Sequence, residues 1–185
     1  MRIISGRHKG TKLFLPPDDL IRPTSDRAKE MIFSTLNSIL SQKRLKFNDM
    51  KVLDFFCGTG GLGIECISRG YKKVCFIDNS KIAIDLTKKN LNLIRAQKFA
   101  EVYNSDFRKL KFIPFKADIF FLDPPYNKFK ISVILEFIRN AGLINNKSIG
   151  VLELPKSIIE NELTCLKIIK EKKVSNSLFL FIETK

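Results

Sequence analysis

The feature that most constrains the fold is an alternation, from residue 52 to residue 154, of short apolar segments with longer segments of helical periodicity. The apolar segments have the length and composition of buried strands: Val52–Phe56, Val74–Asp78, Ala100–Tyr103, Ile119–Leu122 and Ile149–Leu154. The helical segments lie between them: Gly61–Arg69, Ser80–Arg95 and Lys130–Ala141. Such alternation forms βαβ units, in which helices cover both faces of a mostly parallel sheet. The sequence therefore predicts a doubly wound α/β fold.

Both ends of the chain depart from this alternation. At the N-terminus, RIISGRHKGTKLFLP predicts a β-hairpin, and a helix begins after the N-cap residue Ser25. The basic residues expected at the hairpin tip are Arg7, His8, Lys9 and Lys12. Near the C-terminus, two β-rich segments flank KKVSNS and predict an antiparallel hairpin at one edge of the sheet. We expect one domain over residues 1–185, with seven main strands and an N-terminal extension, residues 1–45, packed on it.

The chain is strongly basic. Its 33 Lys and Arg residues against 19 Asp and Glu residues give a net charge of +14, which favours a polyanionic partner, usually nucleic acid. The abundance of Lys, Ile, Asn and Phe is also the drift expected of an AT-rich genome. The longest apolar runs have four or five residues, too short to span a bilayer, and the N-terminus lacks the apolar core of a signal peptide. We therefore expect a soluble protein of the cytoplasm, without a membrane partner.

The cysteines and the single histidine argue against metal and hydrolase chemistry. Cys57, Cys66, Cys75 and Cys165 form no C-x-x-C pair, and His8 cannot complete a zinc site. Reduced, unligated thiols are expected of such cysteines in a cytosolic protein. One histidine in a basic turn also makes a Ser-His-Asp or Cys-His hydrolase a poor interpretation.

The strongest local motif is VLDFFCGTGGLGIE, a buried strand followed by a glycine-rich turn into a helix. Asp54 lies near the end of the strand, and Gly58, Gly60, Gly61 and Gly63 crowd the turn. Glycine lets a ligand approach the backbone, although such a turn can also serve only to pack a helix closely. The spacing differs from G-x-G-x-x-G, and a carboxylate before the turn would repel a pyrophosphate. The motif favours a cationic ligand with an ammonium or sulfonium group.

Acidic residues also end the next two strands. Asp78 and Asn79 follow the second strand, where a carboxylate commonly accepts hydrogen bonds from ribose hydroxyls. Asp106 and Phe107 follow the third strand, where the carboxylate could accept from an adenine amino group beside the aromatic ring. Each aspartate alone could be a helix N-cap. Three acids at three successive strand ends, together with the glycine turn, indicate a ligand site.

This constellation resembles the class I S-adenosylmethionine-dependent methyltransferases, which have a Rossmann-like fold. After the fourth strand, Asp123, Pro124, Pro125 and Tyr126 form a DPPY motif similar to that of enzymes that methylate exocyclic amino groups of bases. The Asp123 side chain and the Pro124 carbonyl can accept from the amino group, and Tyr126 offers a ring on which the base can stack. The alternative is an ordinary proline-rich strand exit with a surface tyrosine.

The resemblance extends over nearly the whole chain. RPTSDRAKEMIFSTL, LDFFCGTGGLGIECISRG and FLDPPY together are similar to the bacterial 16S rRNA guanine-N2 methyltransferases that modify guanine 966 of the small subunit. The resemblance implies that Arg22 and Thr24 contact the methionine end of the cofactor. Cys57 stands where a residue such as alanine is more usual in the family. The segment ELPKSIIENEL, residues 153–163, is the least family-like part, and its role stays open.

The resemblance implies transfer of a methyl group from S-adenosylmethionine to the N2 of one guanine in 16S rRNA, by a monomer that needs no metal. The RNA-binding residues expected on charge are Arg7, His8, Lys9, Lys12, Lys128 and Lys130. A DNA adenine-N6 or cytosine-N4 methyltransferase shares DPPY but usually needs a further recognition domain. A protein glutamine methyltransferase normally has Asn at position 123. A catalytically inactive RNA-binding module is the remaining alternative.

Overall fold

The computed structural model describes residues 1–16, 23–110, 112–125, 130–155 and 167–184. Four helices alternate with strands in these ranges: α1 (Asp26–Gln42), α2 (Gly61–Arg69), α3 (Lys81–Leu93) and α4 (Ile131–Asn140). The strands are β1 (Lys51–Phe55), β2 (Lys73–Asp78), β3 (Ala100–Asn104), β4 (Ala117–Leu122), β5 (Ile144–Pro155), β6 (Lys167–Val174) and β7 (Ser177–Glu183). Of the residues singled out above, Arg22, Tyr126, Lys128 and Cys165 lie outside the described ranges.

The strands form one seven-stranded sheet in the order β3-β2-β1-β4-β5-β7-β6. Neighbours from β3 to β5 are parallel, whereas β7 is antiparallel to both β5 and β6. This confirms the doubly wound, mostly parallel sheet and the antiparallel C-terminal hairpin at its edge. The strand order reverses direction between β1 and β4, and ligands of open α/β sheets bind beyond the carboxyl ends of strands at such a point.

Helices cover both faces of the sheet, as parallel strands require. On one face, α1, α2 and α3 pack against side chains such as Val52, Phe76 and Phe121. On the other face, α4 packs against alternate residues of the same strands, among them Leu53 and Phe120. Because both faces are covered, the strands are almost continuously apolar. No helix in the described ranges is both long and apolar enough to cross a membrane.

Two serine caps set where helices begin at the carboxyl edge. The Ser25 hydroxyl accepts a hydrogen bond from the Ala28 N–H at 3.2 Å, as the sequence predicted. The Ser80 hydroxyl does the same for Ala83 at 3.3 Å. Strand β5 begins at Ile144, five residues earlier than predicted. The prediction missed this part of the strand because the segment is polar and includes Lys147, whose φ lies in the left-handed region.

The N-terminal segment pairs less extensively than the predicted hairpin. A single antiparallel bridge joins Arg2 to Lys12, so Lys12 lies in the stem and not at the tip. The tip is instead fixed to α2: the Arg7 and His8 N–H groups donate to the Ser68 carbonyl at 2.7 Å and to its hydroxyl at 3.0 Å. The predicted hairpin would be held by a longer ladder of hydrogen bonds between its own strands. Here hydrogen bonds to α2, about 60 residues away in sequence, hold the segment instead.

A buried carboxylate completes this anchor. Glu65 is inaccessible to solvent, and its two oxygens accept from the N–H groups of Ile4 and Ser5, both at 2.9 Å. Arg69, one helical turn further, donates to the same carboxylate at 2.9 Å. A buried charge must be paired and hydrogen-bonded to persist, and here the N-terminal segment supplies part of that pairing.

Candidate active site

A cavity of about 730 Å³ opens at the carboxyl edge of the sheet, beside the point where the strand order reverses. It lies between the glycine turn after β1, the ends of β2 and β4, and the segment before α1. Nine of the residues predicted for the site line it: Thr24, Asp54, Gly58, Asp78, Asn79, Asp106, Asp123, Pro124 and Pro125. The structure therefore brings together in one cleft residues that are about a hundred positions apart in sequence.

Two predicted site residues lie beside this cavity. Gly60 faces α3, where an added Cβ would come within 3.0 Å of the Thr87 side chain. Phe107 is buried in an adjoining recess that also includes Ile77 and Asn79. The recess has a volume of only about 10 Å³, which is too small for a planar ring. The space for such a ring lies in the main cavity, which Asn79 and Asp106 also line.

The glycine turn begins two residues earlier than its first glycine, Gly58. Phe56 has a φ of 65°, in the left-handed region, followed by Gly58 at 53° and Gly60 at 77°. A bulky residue in that region is strained, and it is held here by aromatic contacts with Phe55 and Phe107 at centroid distances of 5.2 and 5.9 Å. Phe56 lines both the cavity and the recess, and no sequence signal had indicated this role.

Two side chains of helix α3 hold the backbone of the glycine turn through hydrogen bonds. The Thr87 hydroxyl donates to the Gly58 carbonyl at 3.1 Å, and the Asn90 amide donates to the Thr59 carbonyl, also at 3.1 Å. Both side chains are fully buried. The sequence did carry a signal for this contact. Thr87 and Asn90 lie three residues apart on the buried face of an amphipathic helix, where polar side chains need hydrogen-bond partners.

Close packing explains the last glycine of the motif. A Cβ on Gly63 would lie 2.2 Å from a ring carbon of Phe76 and 2.9 Å from a carboxylate oxygen of Asp54. The Gly63 N–H donates to that same oxygen at 2.8 Å. Gly63 therefore serves the close approach of α2 to the sheet, which is the packing interpretation of the glycines, while Gly58 lines the cavity.

Asp54 gives the cavity an unusual electrostatic character. Burial, followed by the negative charges of Asp78 and Asp123, raises the pKa of Asp54 to about 7, against the opposing hydrogen bond from Gly63. Three carboxylates at one cleft favour a cation. Cys57 is buried beside them, and burial raises the pKa of its thiol, so that the thiol is neutral at physiological pH. Cys57, Cys66 and Cys75 are all free thiols.

Asp78 has a structural task as well as a place in the cavity. One of its oxygens accepts from the Gly58 N–H and the other from the Ser80 N–H, both at 2.9 Å. A carboxylate has about four acceptor positions, so these two bonds leave acceptor capacity for a ligand. Asp78 therefore fixes the glycine turn and is available to hydroxyl groups in the cavity.

Asp106 has the N-cap role that the sequence left open, and it also lines the cavity. It caps the short 3₁₀ turn at 107–109 and accepts from the Arg108 backbone N–H at 3.0 Å. Its carboxylate also pairs with the Arg108 guanidinium at 3.0 and 2.6 Å, and these bonds hold the pKa of Asp106 down at about 2. Arg108 lines the cavity too, although sequence reasoning had not included it.

The segment after β4 closes the opposite side of the cleft. Asp123 is half-buried, Pro124 is buried and Pro125 is exposed, and all three line the cavity. The ring that would complete the motif, Tyr126, lies outside the described residues. Lys130, an exposed residue at the start of α4, follows this segment. No group of three His, Cys, Asp or Glu side chains within the described ranges is arranged to hold a metal ion.

Comparison with known proteins agrees with this geometry. A family model described as Conserved hypothetical protein 95 matches residues 1–183. Ribosomal RNA small subunit methyltransferase D of Escherichia coli is 30% identical over 166 residues, which cover 88% of this chain and 77% of that protein. YlbH of Bacillus subtilis, described as a candidate rRNA methyltransferase, is 33% identical over 162 residues, which cover 85% and 84% of the two chains.

Solved structures support the same relationship. A candidate methylase from Haemophilus influenzae has a TM-score of 0.71 and 28% identity, and the match covers 99% of this chain and 97% of that one. Magnesium protoporphyrin IX methyltransferase from Synechocystis, solved with bound SAM, has a TM-score of 0.63 over 85% and 79% of the two chains. Its 13% identity shows a likeness of fold alone. The chain therefore belongs to the Conserved hypothetical protein 95 family and is a relative of ribosomal RNA small subunit methyltransferase D.

Proposed function

We propose that this protein is an S-adenosylmethionine-dependent methyltransferase that modifies the exocyclic N2 of a guanine in the 16S rRNA of the small ribosomal subunit. The observation that carries the proposal is the single cavity that joins the glycine turn and its acids to Asp123, Pro124 and Pro125. The glycine turn with its acids suits a cationic nucleoside cofactor, and the segment from Asp123 to Pro125 suits the amino group of a substrate. Relatives named as rRNA methyltransferases support RNA as the substrate.

The residues of the cavity fit the cofactor by size and chemistry. About 730 Å³ lies within the range of sites for ligands of drug size. Asp54 and its neighbouring carboxylates would face the cationic methionine end, together with Thr24. The spare acceptor positions of Asp78 would bind the ribose hydroxyls, and the part of the cavity lined by Asn79, Ile82 and Asp106 would take the adenine ring. Arg22, outside the described residues, stays a prediction for the methionine end.

On the substrate side, Asp123 and the Pro124 carbonyl would accept hydrogen bonds from the target amino group. The lone pair of such a nitrogen is delocalised into the ring, so it is a weak nucleophile. The two acceptors hold the nitrogen in line for attack and stabilise the positive charge that develops on it. S-adenosylmethionine would supply a methyl group bonded to a sulfonium sulfur, which leaves as a neutral thioether when the nitrogen takes the methyl group. Alignment of this kind can contribute about 7–11 kcal/mol to the lowering of a barrier.

Asp123 need not be a strong base. The methylated nitrogen is cationic and loses its proton readily, so a carboxylate of ordinary basicity or water suffices to accept it. The guanine must leave its stack to enter the cleft, which favours an unpaired or looped nucleotide as the target. Tyr126 is our candidate for stacking on that base, and Lys128 and Lys130 for nearby phosphates.

The decisive experiment is mass mapping of modified nucleosides in 16S rRNA from cells with and without the gene. Loss of one N2-methylguanosine on deletion, restored by the wild-type gene, is the expected result. Intact rRNA modification with loss of N6-methyladenine or N4-methylcytosine from DNA would favour the DNA methyltransferase alternative. Calorimetry that detects no binding of S-adenosylmethionine would favour an inactive RNA-binding module.

A further inference from the structure

A second cavity, of about 620 Å³, lies between the N-terminal segment and α1, and it contains none of the predicted cofactor residues. We call it the N-terminal groove. Its lining from α1 follows helical spacing along one exposed stripe: Arg27, Glu30, Ser34 and Asn37. At a rise of about 1.5 Å per residue, this stripe is about 15 Å long. The opposite wall consists of residues 2–5, 9 and 10, together with Arg69 of α2.

The N-terminal groove and the active-site cavity are lined by neighbouring residues of the chain. Pro23 and Thr24 line the cavity, while Asp26 and Arg27, two to four residues further along the chain, line the groove. The two spaces therefore flank the first turn of α1. A chain whose terminal group entered the cavity could continue along α1 in the groove.

The charges of the N-terminal groove favour an anionic chain. Asp26 is already paired with Arg2 at 3.0 Å and with the buried Lys29 at 3.2 Å. Arg69 is paired with Glu65, which anchors the N-terminal segment. Within the described part of the chain, Lys9 and Arg27 make no ion pair, and both are exposed. These two cations are therefore available to phosphate groups.

The remaining polar groups favour RNA over a simple polyanion. Four further polar residues line the groove: Ser5, Glu30, Ser34 and Asn37. The Ser34 hydroxyl donates to the Met31 carbonyl at 3.0 Å, which leaves it able to accept. A carboxylate repels phosphate but accepts hydrogen bonds from ribose 2′-hydroxyls and from base amino groups. A wall that mixes two cations with such acceptors matches the alternating charge and hydroxyl pattern of a single RNA strand.

We propose that the N-terminal groove binds the single-stranded RNA segment next to the nucleotide that enters the active site. The proposal rests on the proposed function, because it takes the substrate to be RNA. It shares Lys9 with the prediction that the hairpin tip binds phosphate, and it adds α1, with Arg27, as a second wall for the RNA. The linings of the cavity and of the groove follow one another along the chain at residues 23–27.

Filling the groove without changing its charge provides the sharpest test. Ser34 is an exposed groove residue, and Ser38, one turn further along α1, is exposed and lies outside the groove. Ser34→Trp should weaken binding of a fluorescein-labelled single-stranded 16S rRNA fragment by about tenfold, measured by anisotropy. Ser38→Trp, the matched control, should bind the fragment like the wild type. Both variants should bind S-adenosylmethionine with unchanged affinity in calorimetry.

A salt series tests the two cations separately. Lys9→Gln combined with Arg27→Gln should reduce the slope of log affinity against log salt by about 0.7 for each phosphate that the variant no longer binds. The control pair, Lys88→Gln with Arg139→Gln, removes the same charges from exposed positions outside both cavities and should leave the slope unchanged. An equal reduction of slope in the two pairs would mean diffuse attraction and would overturn the proposal.

The outcomes separate the groove from the proposed function. Wild-type affinity in Ser34→Trp, or equally weakened binding in the two tryptophan variants, would overturn the groove even if the wild-type protein methylates 16S rRNA. A wild-type protein that binds RNA through the groove but leaves 16S rRNA unmethylated would overturn the function and leave the groove standing. Groove variants that bind RNA normally yet fail to bind a ribosomal protein would assign the groove to a protein partner and overturn RNA as its occupant.

Discussion

Cofactor affinity should depend on pH through Asp54. This carboxyl lies in the cavity with a pKa raised to about 7, chiefly by burial and then by the charges of Asp78 and Asp123. A cationic ligand interacts favourably with the ionised form and gains nothing from the protonated form. We therefore expect S-adenosylmethionine to bind more tightly as pH rises through about 7, the reverse of the behaviour expected if the site favoured an anion.

The size of the effect follows from the titration. If only the ionised form binds, the bound fraction scales with the ionised fraction of Asp54, which is about one in eleven at pH 6 and about ten in eleven at pH 8 for a pKa of about 7. The dissociation constant should therefore fall about tenfold over that range, or about 1.4 kcal/mol. Asp54→Asn removes the titration and should make the affinity weak and nearly independent of pH.

The same carboxyl should affect stability with the opposite sign. Its pKa in the folded protein lies above its usual value of 3.8, so the folded state holds the proton more tightly than the unfolded state. The free energy of unfolding of the ligand-free protein should then decrease as pH rises from about 4 to about 7, by roughly 4 kcal/mol at most from this group. Asp54→Asn, which keeps an acceptor for the Gly63 N–H, should be more stable than the wild type above about pH 7.

Calorimetric titration at a series of pH values, in buffers of different ionisation enthalpy, measures both the affinity and the proton released on binding. Proton release near pH 7 that disappears in Asp54→Asn is the expected result. Urea denaturation of the ligand-free variants at matched pH gives the stability part. A cofactor affinity that is flat between about pH 6 and pH 8 in the wild type, or equally pH-dependent in the variant, would refute the reasoning.

The other predictions concern the remaining site residues and the N-terminal segment. Asp78→Ala should weaken S-adenosylmethionine binding by about 1.5–3 kcal/mol, and wild-type affinity in calorimetry would contradict its role. Asp123→Ala should lose most methyl transfer while cofactor affinity stays within a few-fold, as measured by turnover and calorimetry together; a collapse of cofactor binding would give Asp123 a different task. Replacing Arg7, Lys9 and Lys12 with Ala should weaken RNA binding and reduce its salt slope by about 0.7–0.9 for each phosphate released, and an unchanged slope would exclude a phosphate clamp there.

The alternation of segments was enough to predict the sheet and the edge at which the site forms. Parallel strands bring their carboxyl ends to one edge, so Asp54, Asp78 and Asp123 had to converge if the strand assignments were correct. This prediction needed no knowledge of long-range packing, because in a parallel sheet the ends of neighbouring strands are necessarily close together. The same reasoning could not decide between the packing role of Gly63 and the cavity role of Gly58, which depends on which atoms face each glycine.

The anchors of the N-terminal segment could not have been found in this way. Glu65 and Asn90 look in the sequence like ordinary polar residues of amphipathic helices. Their partners are backbone N–H and carbonyl groups of Ile4, Ser5 and Phe14, 60 to 76 residues away. Backbone groups are present at every position, so no residue type in the sequence marks where such a contact will form. For the same reason the predicted hairpin was longer than the single bridge between its strands.

Asn90 connects the N-terminal segment to the glycine turn after β1. Its carbonyl oxygen accepts from the Phe14 N–H at 2.7 Å, and its amide donates both to the Phe14 carbonyl and to the Thr59 carbonyl, each at 3.1 Å. One buried side chain thus ties the N-terminal segment to the glycine turn at the candidate active-site cavity. A buried amide left with an unpaired donor or acceptor costs about 1–3 kcal/mol, so neither contact separates without penalty. The N-terminal segment and the glycine turn are therefore held in a fixed position relative to each other. In-line transfer between two bound substrates requires such rigidity.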